Sequence, residues 1–444
     1  MAGSLTRSLR RALLLAFCLT RAADAADISA LDAEIDRGVR AVEARVVAWR
    51  RDIHQHPELS NRETRTAKLV ADHLRHLGLQ VKTGVAHTGV VGLLRGARAE
   101  PVVALRADMD ALPVTEEVDV PFRSKVRATY NGQEVGVMHA CGHDAHVAIL
   151  MGVAEVLAGM RERVPGSVKF IFQPAEEGAP AGEEGGAGLM VREGVLDTPR
   201  PGAIFGLHVY PYPAGTIAYR AGPTMAGSDG LRIVVRGRQT HGAQPWRGVD
   251  PIVVAAQIVT ALQTITSRQV DITRSPAVVT IGSIQGGVRG NIIPDDVEMS
   301  GTIRTFDATV QEDIHRRIRR TVESVAESAG ATAEVTIGAS NPVTTNDPGL
   351  TERMTTTLAR VAGAGAVVTP PLLTVAEDFA YYQRVIPGLF FFIGAAPPGV
   401  EPGRAEPNHS PRFVVDESAL PLGMRALAYV AVEYLASTST TDGQ

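Results

Sequence analysis

Residues 102–113 read VVALRADMDALP, an apolar run at 102–105 followed, past Arg106 and Ala107, by two carboxylates, Asp108 and Asp110. A run of β-branched and aliphatic residues without polar alternation is the pattern of a strand buried on both faces. The pattern returns along the chain. Residues 168–172 (VKFIF) lead into QPAEEG with Glu176 and Glu177, and residues 203–207 (AIFGL) lead into His208. Residues 389–393 (LFFFI) are followed by a loop carrying His409 in NHSPRF. Helical stretches alternate with these runs from Gly78 to about residue 221, and the alternation resumes near residue 341. Such an order predicts an α/β domain around a largely buried central sheet. In an α/β sheet, ligands bind beyond the carboxyl ends of the strands. Several groups with metal-binding or acid–base capacity therefore converge beyond strands of one sheet.

Outward from this core, residues 28–77 carry apolar positions at helical spacing, through Ala41, Val42, Val46 and Trp49 and again through Ala67, Val70 and Leu74, with Gly78 as the stop. Residues 222–340 follow another order. A period-two strand at 231–235 precedes a helix capped by Asp250 and begun by Pro251. Strands at 278–284 and 297–303, a helix at 310–329 and a strand through Val335 complete a βαββαβ, ferredoxin-like unit. It reads as an insertion dividing the α/β domain into 27–221 and 341–444. Residues 418–436 form a closing helix.

The 444 residues carry a formal net charge of -4, with 45% hydrophobic and 21% charged residues. No basic stripe suits a phosphate backbone, so nucleic acid is not an expected partner. Arg7, Arg10 and Arg11, the apolar run 12–19 and the small residues Ala23 and Ala25 read as a signal peptide over 1–26. Export, to the periplasm in a Gram-negative source, and no membrane association after cleavage are expected. Phe17 before Cys18 is too bulky for a lipid-attachment site. Cys141 is then the single cysteine of the mature chain, which makes an intrachain disulfide impossible and leaves a thiol that coordination would protect.

The densest chemical signal is MHACGHDAH at 138–146. Cys141 and His143 precede an apolar helical run from near Val147. Thiolate and imidazole suit a borderline-soft ion such as zinc, and a helix N-terminus favours the thiolate. Adjacent Glu176 and Glu177 point to different sides of an irregular backbone, so that one can bind metal while its neighbour serves as general base. Cys141, His143, Glu177, His208 and His409 make five ligands. That is too many for one open site, and it suits two ions roughly 3.5–4 Å apart with a shared ligand. Two other readings remain: a thiol hydrolase using Cys141 and His143, and a non-catalytic metal-binding scaffold. His73 and His76 lie on a polar helix face. His54, His56, His87 and His315 show no partner pattern, and His139 and His146 read as supporting or packing groups.

Together RADMDALP, MHACGHDAHVA, FQPAEEG, GLHVYP, GNIIPD, GTIRTF, EDFAYY, NHSPRF and the HPELSNRET stretch resemble bacterial hippurate hydrolases and plant indoleacetyl-amino-acid hydrolases. These form the amidohydrolase branch of the aminoacylase and carboxypeptidase G metallopeptidase superfamily, and the likeness runs from about Trp49 to Tyr434. The resemblance implies hydrolysis of the amide bond of small N-acyl amino acids or dipeptide-like substrates. It implies two divalent ions per subunit (zinc, manganese, cobalt or nickel) on the five ligands, with Cys141 bridging. Glu176 would be general base and acid, and Asp108 would orient a ligand. Where the wider superfamily has a ligand histidine, this chain has Arg106, as the amidohydrolase branch does. The inserted unit resembles a lid and dimerisation domain, which implies a homodimer. There His241 would stabilise the oxyanion, in its own or the partner's site, while Asn291 and Arg304 would hold the substrate carboxylate. The run before His241 is GRQTH rather than a glycine-rich GKGGH, and VAED at 375–378 replaces a small GSED-like stretch.

Overall fold

The computed structural model describes all residues except 1, 340, 364, 402 and 440–444, with side chains from residue 28 onward and not at 339 or 439. The signal-peptide reading falls on residues 1–26, whose side chains lie outside the described residues. The chain divides into two compact units, Met1–Tyr219 with Gly349–Thr369 and Ile386–Gln444, and Arg220–Pro348 with Pro370–Val385.

The first unit is built on an eight-stranded mixed sheet. Its order is Gln80–Val85, Gly89–Arg95, Ser167–Gln173, Val102–Asp108, Ala203–Pro213, Gly388–Ala396, Ile217–Ala218 and Val367–Val368. The four middle strands are mutually parallel, so their carboxyl ends open on one edge. Every residue of the strands Val102–Asp108, Ser167–Gln173 and Gly388–Ala396 is buried, the apolar ones as their pattern requires and Arg106, Asp108 and Lys169 with them. Asp108 closes its strand. His208 lies inside a strand longer than the apolar run 203–207, opposite Phe392 in register.

Helices Ala2–Gln55, His143–Gly159 and Ala419–Ser439 pack against one another in the core. The middle helix is buried on almost every face, the state expected of a helix that is apolar all round. Close approach is built in at Gly152, where a Cβ would meet Met424 Sδ at 2.4 Å and Val46 Cγ2 at 2.7 Å. This helix starts at His143, one turn before Val147, which puts His143 and His146 on its first turn.

The second unit contains the expected βαββαβ order. Its antiparallel sheet runs Ala277–Gln285, Asp296–Thr305, Gly227–Arg236, Thr332–Ala339. Helices Pro251–Thr264 and Ala308–Ser328 contribute Val254, Ile258, Leu262, Ile314, Ile318 and Val322 to one apolar core with Leu231, Ile233, Val297 and Met299. Asp250 caps the first helix, accepting from Ile252 N at 2.9 Å and Val253 N at 3.4 Å.

Residues 341–348 and 370–385 group with this second unit, whereas the order of elements assigns all of 341–444 to the α/β domain. Backbone pairing is the reason. Ala226 N donates to the carbonyls of Leu373 (2.9 Å) and Val375 (3.0 Å), Thr344 Oγ1 donates to Glu377 O, and Gln383 bonds Thr345 N and Asn346. A short irregular segment gives no periodicity from which such pairing can be read.

Candidate metal centre

The carboxyl ends of the parallel strands bring five residues together from distant parts of the chain. Potential ligand atoms of Cys141, His143 and His208 lie within 4.8 Å of one another, and so do those of Cys141, Glu177 and His409. Cys141 belongs to both groups. Its Sγ is 3.3 Å from His208 Nε2, while His409 Nε2 is 3.0 Å from Glu177 Oε1. Glu176, Glu177 and His143 form a further group, with His143 Nε2 4.0 Å from a carboxylate oxygen of each glutamate.

Local backbone explains how the residues face inward. Gly142, between Cys141 and His143, has φ 95° and precedes the helix; a Cβ there would meet Val209 Cγ2 at 2.3 Å. Ala175, just before the glutamates, has φ 52°, and His409 has φ 71°. Left-handed non-glycine residues persist where surrounding contacts hold them. Ala175 N donates to Glu63 Oε1 at 2.9 Å, and His409 N donates to Ala140 O at 2.8 Å. Asn408 Nδ2 adds a bond to Cys141 O at 3.0 Å, which fixes the loop beside the thiol.

Asp110 organises the centre. Its Oδ1 accepts from Glu176 N at 3.1 Å, and its Oδ2 accepts from Glu177 N at 3.0 Å and Ser60 Oγ at 2.8 Å. Its main-chain oxygen is 2.8 Å from His143 Nδ1. That contact places the proton on Nδ1 and directs the Nε2 lone pair to the cluster. His208 is arranged the same way, with Nδ1 2.7 Å from Val209 O. Asp108, expected to orient a ligand, bonds Arg106 Nη1 and His146 Nδ1, each at 2.6 Å. His146 Nε2 accepts from Val209 N at 2.9 Å, so both ring nitrogens are engaged and His146 is a supporting group.

The donor set fits cations. His143 Nε2 is buried without a hydrogen-bond partner, and Glu177 Oε1 makes no hydrogen bond although His409 is close. Such orphaned atoms are costly unless something satisfies them. Burial lowers the His143 pKa, but the carboxylates of Asp108, Asp110 and Glu177 outweigh it and raise it to about 10, so Nε2 holds a proton that a cation would displace to reach the lone pair. Burial, with the charges of Glu177 and Glu176, pushes the Cys141 thiol well above its ordinary range. Burial likewise drives His208 well down, toward its neutral, ligating form. Asp108, Asp110, Glu176 and Glu177 together leave this end of the sheet rich in negative charge, and divalent cations compensate that field.

A second network lies behind the first. His54, expected to lack a partner pattern, is buried with Nδ1 2.9 Å from Asp144 Oδ2 and Nε2 3.2 Å from Glu116 Oε1. Arg50 Nε is 2.7 Å from the same Asp144 oxygen. His315 in the other unit bonds Asp229 at 2.8 Å. His73, assigned to a polar face, packs on Trp49 and bonds Met151 O at 3.2 Å. Sequence spacing cannot find the hydrogen-bond partners of these histidines, because they sit 62 to 90 positions away.

In the second unit, His241 and Asn291 line one recess with Thr240, Arg289 and Ile292, across the Thr240–His241 and Ile292–Ile293 strand pair. Ala243 N donates to His241 Nδ1 at 3.0 Å, so Nε2 carries the ring proton. Arg304 is not part of that lining. It is partly buried on its strand opposite Ser228, and burial lowers its pKa. Glu377 Oε1 accepts from Phe379 N at 2.9 Å, just before the helix Ala380–Gln383.

A family description, peptidase family M20/M25/M40, matches residues 104–433. The chain belongs to this family, and it is a metal-dependent hydrolase. It is 43% identical over 404 residues to thermostable carboxypeptidase 2 of Saccharolobus solfataricus, covering 90% of this chain and 98% of that protein. It is 39% identical over 395 residues to IAA-amino acid hydrolase ILR1-like 4 of Arabidopsis thaliana, covering 88% and 86%. Among solved structures it is similar to the Bacillus subtilis YXEP protein, described as a dinuclear metal binding peptidase from the M20 family. That match has a TM-score of 0.74 and 36% identity and covers 89% of this chain and 99% of the other. The resemblance drawn from the motifs and the mixed α/β class agree with these relatives.

Proposed function

We propose that the chain hydrolyses the amide bond of small N-acyl amino acids or dipeptide-like substrates. Two divalent ions would be held by Cys141, His143, Glu177, His208 and His409, and Glu176 would be the general base. The observation that carries this reading is the division of labour between neighbouring carboxylates. Asp110 holds the backbone amides of both glutamates, Glu177 faces Cys141 and His409, and Glu176 stands at the edge of the same cluster. Cys141 is common to the His143–His208 and Glu177–His409 groups, which supports it as the shared ligand. Ions held there would supply Lewis acidity toward an amide carbonyl and a water molecule. Glu176 takes the proton from the attacking water and delivers it to the leaving amine. The names of the relatives, a carboxypeptidase and an IAA-amino acid hydrolase, support an amide next to an amino acid.

His241 supports the reading from the inserted unit. Its Nε2–H is a donor of the kind that stabilises a tetrahedral oxyanion, in its own or a partner's site. Asn291 and Arg304 would bind the substrate carboxylate, the guanidinium by a bidentate fork. A homodimer through this unit is supported by exposed Ile252, Val253, Val278 and Ile284. Export rests on the N-terminal pattern of Arg7, Arg10, Arg11 and the apolar run 12–19.

The test is amine release from a panel of N-acyl amino acids and dipeptides. Metal-stripped protein should be inactive, and zinc, manganese, cobalt or nickel should restore turnover. Full activity in a strong chelator contradicts the proposal.

A further inference from the structure

A lysine is buried in the outer part of the first unit's sheet. Lys169 lies in the strand Ser167–Gln173 and is 3% exposed. Its Nζ donates to Val195 O at 2.7 Å. An ammonium carries three donors, and no other hydrogen bond or ion pair of this group occurs among the described residues. Asp197 acts on it only at longer range. Burial, with the charge of Lys82, pulls the amine down to about 8 against the attraction of Asp197, which leaves it protonated at neutral pH. A buried cation without an adjoining anion is costly unless something compensates it.

Lys169 also lines an open cavity, and strand register shows how. Gln80, Leu93 and Lys169 form one row across three strands, and Lys82 and Val91 belong to the next row on the same face. All five line the cavity, and the segment 194–199 walls it with Val195 and Pro199. Leu93, Val91, Val195 and Pro199 offer apolar surface. Lys169 and the exposed Lys82 offer two cations, and no carboxylate belongs to the lining. The volume is about 270 Å³. A cavity of about 150 Å³ holds a benzene ring, and pockets for drug-sized ligands begin at about 300 Å³. One ring, or a short branched chain, fits together with one small anionic group.

We infer that this cavity is a binding site for an organic monocarboxylate with a compact apolar body. The carboxylate meets Lys169, with Lys82 at the mouth, and the body covers Val91 and Leu93. A bare inorganic anion would leave that apolar floor in water, and a neutral ring would leave the buried ammonium uncompensated. None of the lining residues belongs to the cluster around Cys141, so the site stands apart from the amide-hydrolase reading.

The experiment measures binding of benzoate to the metal-loaded full chain by equilibrium dialysis, with benzyl alcohol and inorganic phosphate as the ring without charge and the charge without ring. Benzoate should bind saturably, and each of the other two at least about tenfold more weakly, the worth of a hydrogen bond to a charged group. Lys169→Met exchanges the buried charge for an apolar chain, a change that is often neutral or stabilising. Lys82→Glu reverses a charge on the exposed rim, where the fold is not at stake. Each should weaken benzoate binding at least about tenfold and leave amide turnover at the wild-type level. Benzoate affinity unchanged in both variants puts the ligand elsewhere, the metal centre included, and overturns the site. Equal binding of benzyl alcohol or of phosphate overturns it too, as does the absence of saturable benzoate binding. A wild type that binds benzoate through Lys169 but hydrolyses no amide leaves this site standing and overturns the hydrolase reading alone.

Discussion

Asp110 accepts the backbone N–H of Glu176 on one carboxylate oxygen, 3.1 Å away, while its other oxygen accepts the N–H of Glu177 at 3.0 Å. One side chain thus sets the positions of the proposed base and of its proposed metal-binding neighbour, and its main-chain oxygen also sets His143. Asp110→Asn turns one acceptor into an NH2 group facing a backbone donor. Supporting groups of this kind contribute about 10–100-fold in metal affinity or activity. Asp110→Asn should therefore lower kcat and weaken metal retention together, measured by turnover and by metal content after dialysis. A kcat loss with wild-type retention would limit its role to Glu176.

Gly142 gives a prediction about backbone geometry. Alanine there combines a φ of 95° with a Cβ 2.3 Å from Val209 Cγ2. Strain and overpacking of this kind cost about 1–3 kcal/mol each. Gly142→Ala should lower the thermal midpoint and, because Cys141 and His143 flank the site, reduce bound metal. Calorimetry and metal analysis on the same sample check both effects.

His54 predicts a pH dependence of stability. Burial lowers its pKa, but Asp144 and Glu116 outweigh burial and the opposing charge of Arg50, so the folded value is raised above the ordinary 6.5. A raised folded value means that the stabilisation is complete below pH 6.5 and is lost as pH rises through the folded pKa. His54→Gln removes a buried partner of two carboxylates, a change worth about 3–5 kcal/mol when the pair is fully charged. The gap in thermal midpoint between wild type and variant should be widest below pH 6.5 and narrow above it. A gap that widens with pH contradicts the charged form.

His241 tests the oxyanion role. His241→Ala should lower kcat by about 100–1000-fold, the usual loss of one oxyanion donor, with little change in bound metal. The side chain is exposed, so the thermal midpoint should stay near wild type. Loss of metal from this variant would contradict a role confined to the transition state.

Much of the first unit is legible in sequence because a strand buried on both faces leaves an unbroken apolar run. The runs at 102–105, 168–172, 203–207 and 389–393 each become a strand, and polar residues after them mark where the site can be. Extensions past the runs are not legible. Arg106 and Asp108 belong to a strand because each charge is neutralised inside the protein, by each other and by His146. Hydropathy reports the apolar residues and says nothing of such pairs. The same limit hid the partners of His54 and the role of Asp110, which acts through backbone amides that any residue type carries. The pairing of 370–385 with the second unit is illegible for a related reason, since main-chain hydrogen bonds from Ala226 leave no compositional trace.

In the proposed mechanism Glu177 helps hold metal while Glu176 moves the proton. Glu176→Gln separates the two functions, because it keeps the shape and the Asp110-held backbone and removes the base. The measurement is metal per chain and kcat on the same purified variant. The account predicts two divalent ions per chain, as in wild type, with kcat reduced about 100–10,000-fold, the range general acid–base groups provide. Wild-type turnover in the variant, or loss of the ions with the activity, contradicts it.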